Sequence, residues 1–339
     1  MHPRSRSFSL VTLVATVIVV AACSTAGGGS VRPGGAYGGG YSGGSAGKSP
    51  APSTVGGKVP FVPRIISSES VVGPSRFVFG ITDASGTKTI GGPDLKAQVM
   101  FTPAARDSSG STPGGSPGTS PSPIAATFIW AIPNERGVYT VTTDFPTAGD
   151  WTFQVTAQGK GMDGASVDGT VPVSMQVAAK GYAIPIGARA PSTKTPTLAD
   201  VGGDPKKLST DTKPEPSFYR TSVEGALAEH EPFVLVFATP GFCRTAQCGP
   251  TLDGVKAVAR ETPGTTFINV EPYELAFTDG RLQPVLDANN QLKPTATTSA
   301  WGILSEPWIF VVDGNGIVKG SFEAVVGPDE LKAAIAAAR

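Results

Sequence analysis

Two cysteines five positions apart, Cys243 and Cys248, lie in the segment TPGFCRTAQCGPTLD. Thiols at this separation suit three chemistries: thiol–disulfide exchange, soft-metal binding, or a structural cross-link. Geometry limits where the pair can sit. On one α-helix, residues five apart have Cα atoms about 8.6 Å apart, beyond the roughly 7 Å that a disulfide tolerates. Cys243 is therefore expected in a loop and Cys248 in or near the first turn of the following helix, with Thr245 as N-cap and Pro250 early enough to be tolerated. A sulfur beside a helix N-terminus gains thiolate character, and Arg244 would add to it. In exchange, Cys243 would attack and Cys248 resolve; as a metal site, the two thiolates could hold Cu(I).

The third cysteine ends an apolar run. His2-Pro-Arg4-Ser-Arg6 is a basic start, Leu10 to Ala22 is apolar, and Val20-Ala-Ala-Cys23 follows. About 13 apolar residues are too few for a bilayer span, which needs about 20, but they fit a secretory signal. The ending resembles the bacterial lipobox, which implies a signal peptide over 1–22 and lipidation of Cys23. The resemblance implies a membrane lipid anchor on the extracytoplasmic face. The mature chain would carry a net charge of about −2, because Arg4 and Arg6 leave with no acid. Outside the cytoplasm the remaining two thiols are expected to form a disulfide by default.

Formal net charge is zero and no Lys/Arg block occurs, so a nucleic-acid surface is not expected. With two histidines and no nucleotide-binding loop, hydrolase and nucleotide chemistry are also set aside. No cofactor is expected. Residues 23–58 are a Gly/Ser/Pro tether reaching about 30–35 Å on average. Residues 59–178 alternate in period 2, as at Phe77/Phe79/Ile81, Trp151/Phe153/Val155 and Val171/Val173/Met175/Val177, which predicts an all-β sandwich. Within it, residues 107–123 have no apolar content and read as a disordered loop. GVYTVTTDFPTAGDWTFQVTA (137–157) resembles the late strand pair of immunoglobulin-like domains, particularly the YtkA-like type. Residues 179–200 read as a Pro-rich connector.

The last unit, 201–339, reads as α/β. Thr221-Ser-Val-Glu224 fits a capping box for a helix ending near His230. VLVFA (234–238) is a buried strand of the parallel type. A helix should run from the cysteines through Val255 and Val258, and 266–270 is a strand. Residues 308–322 form two strands around Asp313-Gly-Asn-Gly316. A final helix opens at Pro328 with Leu331 and Ile335 on its apolar face.

This order, with a cysteine straight after the first buried strand, resembles the thioredoxin superfamily over residues 217–339. The carriers are VLVFATPGFC with Phe242 before the cysteine, Trp301-Gly-Ile303-Leu-Ser-Glu306-Pro307, DGNGIVKGSF and PDELKAAI. The resemblance implies a thioredoxin-like fold and thiol–disulfide exchange with thiols or disulfides of exported proteins. It also implies that Pro307 is the family's cis-proline, presenting the substrate backbone. The chain departs from the family in three ways. Its spacing is C-x-x-x-x-C where thioredoxins have C-x-x-C. Phe237 stands where many members keep a buried carboxylate. Glu306 stands where the family is usually uncharged, and its charge would raise a nearby thiolate's pKa. Sco-type copper chaperones use C-x-x-x-C and a distant His, whereas no His follows Cys243 here. Pro240, Thr245 and Cys248 miss the peroxiredoxin spacing by one residue. The alternative to an exchange protein is a surface module with a structural disulfide, its sandwich contacting a partner.

Overall fold

The computed structural model describes residues 59–104 and 122–339. The expected signal segment, Cys23, the tether and all but the end of the 107–123 loop lie outside the described residues.

Period-2 spacing resolves into eight strands: β1 (Val62–Ile65), β2 (Gly73–Thr82), β3 (Leu95–Pro103), β4 (Ile124–Ala125), β5 (Thr127–Ile132), β6 (Arg136–Phe145), β7 (Gly149–Lys160) and β8 (Ser166–Val177). They form two antiparallel sheets, ordered β1-β2-β6-β5 and β4-β3-β7-β8. Inward side chains of both sheets share one core, whose centre is aromatic. The Phe77 and Phe153 ring centroids lie 4.7 Å apart, and those of Phe101 and Phe145 5.1 Å apart. Burying each such ring contributes about 2–3 kcal/mol. The Tyr139 hydroxyl on β6 donates to the Leu95 carbonyl on β3 at 2.8 Å, tying the sheets together. Segment 137–157 contributes to β6 and β7, which do not pair: the turn at 146–148 carries the chain from one sheet to the other.

The remaining strands and α-helices are α1 (Val223–Ala228), β9 (Phe233–Phe237), α2 (Cys248–Glu261), β10 (Thr266–Val270), β11 (Leu275–Thr278), β12 (Arg281–Pro284), α3 (Ala296–Trp301), β13 (Trp308–Val312), β14 (Val318–Glu323) and α4 (Pro328–Ala338). A mixed sheet has the order β10-β9-β13-β14, with β10 parallel to β9 and the other neighbours antiparallel. Alternation along the strands sends apolar side chains to two faces. Val234, Val236, Ile309 and Val311 pack with Leu252 and Val255 of α2 and Leu331 and Ile335 of α4. Phe233, Leu235, Phe237 and Phe310 pack with Val223 of α1 and Trp301 of α3. Cover on both faces explains the unbroken apolar run of β9.

Local chemistry sets the helix ends. Ser222, rather than Thr221, caps α1, its Oγ accepting from the Gly225 N–H at 2.9 Å. At α4, Pro328 occupies the first turn and the Glu330 carboxylate reaches back to the Gly327 N–H. The β11–β12 hairpin and α3 lie in a polar stretch whose sequence carries no clear periodicity.

The described residues pack as one compact unit. Segment 179–200 is held along the mixed sheet by backbone bonds from Gly187 to Val318 and from Ala190 to Gly316, both 2.8 Å. The outer face of the β1-β2-β6-β5 sheet buries Val78, Ala131 and Val138 against Val325. Polar contacts surround this apolar seam. Arg76 donates to both carboxylate oxygens of Glu330, at 2.6 and 3.0 Å, and lies over the Phe322 ring. The Glu323 carboxylate accepts from the Ser68 N–H at 2.9 Å and from the Ser305 hydroxyl at 2.6 Å. Burial pushes the Glu323 carboxyl above its usual range. Among the described residues no helix is long and apolar enough to cross a membrane.

Arg76→Ala removes a two-toothed, charge-assisted contact across the seam. It is expected to lower stability by about 2 kcal/mol and to split one cooperative urea transition into two. An unchanged midpoint and a single transition would show that the seam does not couple the two sheet systems.

Candidate functional site

The cysteine loop starts where β9 leaves the sheet. Residues 238–247 turn back to bring Cys243 to the N-terminus of α2, whose first residue is Cys248. Gly241 passes so close to Thr210 that a Cβ would stand 2.8 Å from the Thr210 Cβ. Its N–H donates to the Thr210 hydroxyl at 2.9 Å. Ala246 adopts a left-handed φ of 59°, a conformation that costs an L-residue roughly 1–2 kcal/mol. Thr245 is not the N-cap. Gln247 takes that position without a side-chain bond, and the Thr245 hydroxyl instead contacts Cys243 Sγ at 3.4 Å.

The two cysteines are chemically unequal. Cys243 is half-buried and Cys248 fully buried. Their side chains meet at 2.7 Å as free thiols, so forming an S–S bond requires a movement of about 0.7 Å. The Cys248 N–H, an unpaired donor of the first helical turn, points at Cys243 Sγ at 3.2 Å. The Cys248 thiol is the largest influence on Cys243, ahead of opposing burial, and Thr245 and the Cys248 N–H add to it, lowering the Cys243 thiol to about 5. Cys248 is pushed in the opposite direction, first by its bond to Cys243 and then by burial. The Arg244 guanidinium reaches Gln291 Oε1 at 3.3 Å, and its charge acts to lower Glu306 and Tyr273.

Glu306 and Pro307 arrive from β13. Trp308 pairs with Phe237 across the antiparallel β9–β13 ladder, so the residues just before Trp308 stand beside those just after Phe237. Pro307 is buried there and the Glu306–Pro307 peptide is cis. A carboxylate oxygen of Glu306 and both sulfurs lie within 4.8 Å of one another. The Tyr273 hydroxyl donates to Glu306 Oε2 at 2.6 Å. Burial raises the Glu306 carboxyl, and the negative Cys243 raises it further. The electrostatic penalty expected of Glu306 thus falls on Cys248 and on Glu306 itself, while the hydrogen-bond donors around Cys243 keep its thiol acidic.

Three residues at or near the site carry little or no sequence signal. Phe237 is fully buried on the α3 side, but the adjacent strand supplies a carboxylate: Glu271 follows Val270, the partner of Phe237 in the ladder. Its Oε1 accepts from the Thr210 N–H at 2.6 Å and the Thr210 hydroxyl at 2.8 Å. Its Oε2 is buried without a partner among the described residues. Desolvation dominates these bonds and lifts the carboxyl to about 7. Tyr273 orients Glu306. Arg136, from the first residue of β6, donates to the Thr245 carbonyl at 2.8 Å, so the sandwich holds the loop between the cysteines. A glutamate directly after a buried strand was the one cue available for Glu271; Arg136 had none. His230 lies away from this cluster, its Nδ1 beside the Gly314 carbonyl at 3.2 Å.

Alkylation of Cys243 in the reduced protein is expected to be half-maximal near pH 5. Cys248→Ala, which removes the donor thiol, should move that midpoint up by at least about one unit; an unmoved midpoint would deny the thiol–thiolate bond. Glu271 gives a second pH signature. Its folded pKa lies above the unfolded one, so its contribution to stability is complete below about 4.5 and is lost as pH rises through about 7. Urea midpoints should therefore fall across that window in the wild type, and Glu271→Gln should flatten the fall. No protein-family model matches the chain, and no curated protein sequence shows significant similarity to it.

Proposed function

We propose that the chain is a lipid-anchored, extracytoplasmic protein whose C-terminal portion is thioredoxin-like and performs thiol–disulfide exchange on exported proteins. The observation that carries this reading is the asymmetry of the pair. An acidic, half-buried Cys243 sulfur stands at a helix N-terminus in contact with a fully buried Cys248 whose thiol is pushed the other way. The mixed sheet with helices on both faces, and Pro307 beside the cysteine loop, support the family resemblance. The two-sheet unit accords with an immunoglobulin-like domain. Cys23 would supply the lipid attachment.

In the reducing direction, the Cys243 thiolate attacks one sulfur of a substrate disulfide. The substrate's other sulfur departs as a thiolate and takes a proton from solvent. Cys248 then gives up its proton and its thiolate attacks Cys243 Sγ. The Cys243–Cys248 bond forms, the mixed disulfide breaks, and the second substrate sulfur leaves. Two electrons pass to the substrate; the reverse sequence oxidises a dithiol. Burial suits Cys248 to wait behind Cys243 rather than meet substrate first.

The reduction potential of the pair, set by equilibration with glutathione and dithiothreitol buffers, tests this directly. A value between about −120 and −270 mV is expected for an exchange pair. A value below about −300 mV would mark a structural staple and favour the surface-module alternative. Cys248→Ser should also trap a mixed disulfide with a peptide disulfide, whereas Cys243→Ser should trap none.

A further inference from the structure

We propose that the reduced Cys243–Cys248 pair and Glu306 form a three-donor site for a thiophilic divalent cation of the zinc class, with the fourth coordination position open on the Cys243 side. The inference goes beyond exchange: it concerns the dithiol state and needs no substrate.

Two sulfurs and a carboxylate oxygen lie within 4.8 Å of one another. A tetrahedral zinc ion with Zn–S near 2.3 Å and Zn–O near 2.1 Å holds its ligand atoms about 3.5 Å apart, so side-chain adjustments of about an ångström complete the set. The charge balance favours a cation. Three groups able to become anionic converge, yet among the described residues no Lys or Arg forms an ion pair with Glu306. The nearby Arg244 guanidinium is turned to Gln291. For an exchange pair this crowding is a handicap, whereas a divalent ion would neutralise it. The carboxylate is also held from behind: the Tyr273 hydroxyl donates to Glu306 Oε2, the outer support usual for a metal ligand. The Arg136 and Thr210 contacts fix the loop that carries Cys243.

The donor set selects the ion. Calcium and magnesium require oxygen ligands and reject thiolates. Cu(I) binds two sulfurs and has no use for a carboxylate, while zinc accepts S₂O with an open fourth position.

The test uses the full-length chain, reduced and kept free of oxygen and metal. Titration with Co²⁺ is expected to produce a thiolate-to-metal charge-transfer band that saturates at one ion per chain and vanishes on adding Zn²⁺. Competition with a chromophoric chelator should show Glu306→Gln binding Zn²⁺ at least tenfold more weakly. Zn²⁺ should shield both thiols from alkylation in the wild type and not in the variant. Wild-type circular dichroism and oxidation to a Cys243–Cys248 disulfide would confirm that the variant is folded. Absence of the band, one ion per two chains, or a folded Glu306→Gln that binds Zn²⁺ as tightly as wild type would overturn the site. Exchange is judged separately, by the potential of the metal-free protein. A resistant bond would remove that reading and leave this one standing, and absence of metal binding would do the converse.

Discussion

The candidate site depends on the register between β9 and β13. These strands run antiparallel with Trp308 opposite Phe237. The exit of one strand and the entry of the other therefore share one end of the sheet, although some 70 residues separate them in the chain. The exit of β9 carries the cysteine loop, and the entry of β13 carries Glu306 and Pro307. Because side chains alternate along a strand, a one-residue slip would expose Phe310 and Val311 to the wrong faces. The cores on both faces thus fix the register, and the register fixes the contact between Glu306 and the sulfurs.

Charge within the site is governed by burial and by the orientation of donors. Cys243 receives a thiol, a hydroxyl and a helix-terminal N–H. Cys248 is raised first by its bond to Cys243 and then by burial, and Glu306 is raised by burial. Glu271, across β9, is raised to about 7 by desolvation, despite accepting two close bonds from Thr210.

The two sheet systems are joined by a seam that also reaches the site. Val325 lies in the pocket made by Val78, Ala131 and Val138. Glu323 links Ser68 in the sandwich to Ser305, the neighbour of Glu306. Arg136 holds the Thr245 carbonyl between the cysteines. A shift of the sandwich would therefore be felt on both sides of the sulfur pair.

Much of the architecture follows from sequence by itself. Alternation at Phe77, Phe79 and Ile81 and at Trp151, Phe153 and Val155 requires a strand face, and unbroken apolarity at 234–238 requires cover on both sides. The cysteine spacing requires a loop followed by a helix start. These are local properties, set by backbone periodicity and by how far a disulfide can reach. Other features were decided only by tertiary structure. Val78 interrupts the alternation of β2 as a buried residue because the C-terminal sheet system covers that face. Thr245 turns to Cys243 instead of capping α2 because Ala246 bends the loop first. Glu271 places a buried carboxylate next to Phe237 because a parallel neighbour strand ends beside it. Pairings between distant segments depend on which faces bury each other, and periodicity names the face without naming its partner.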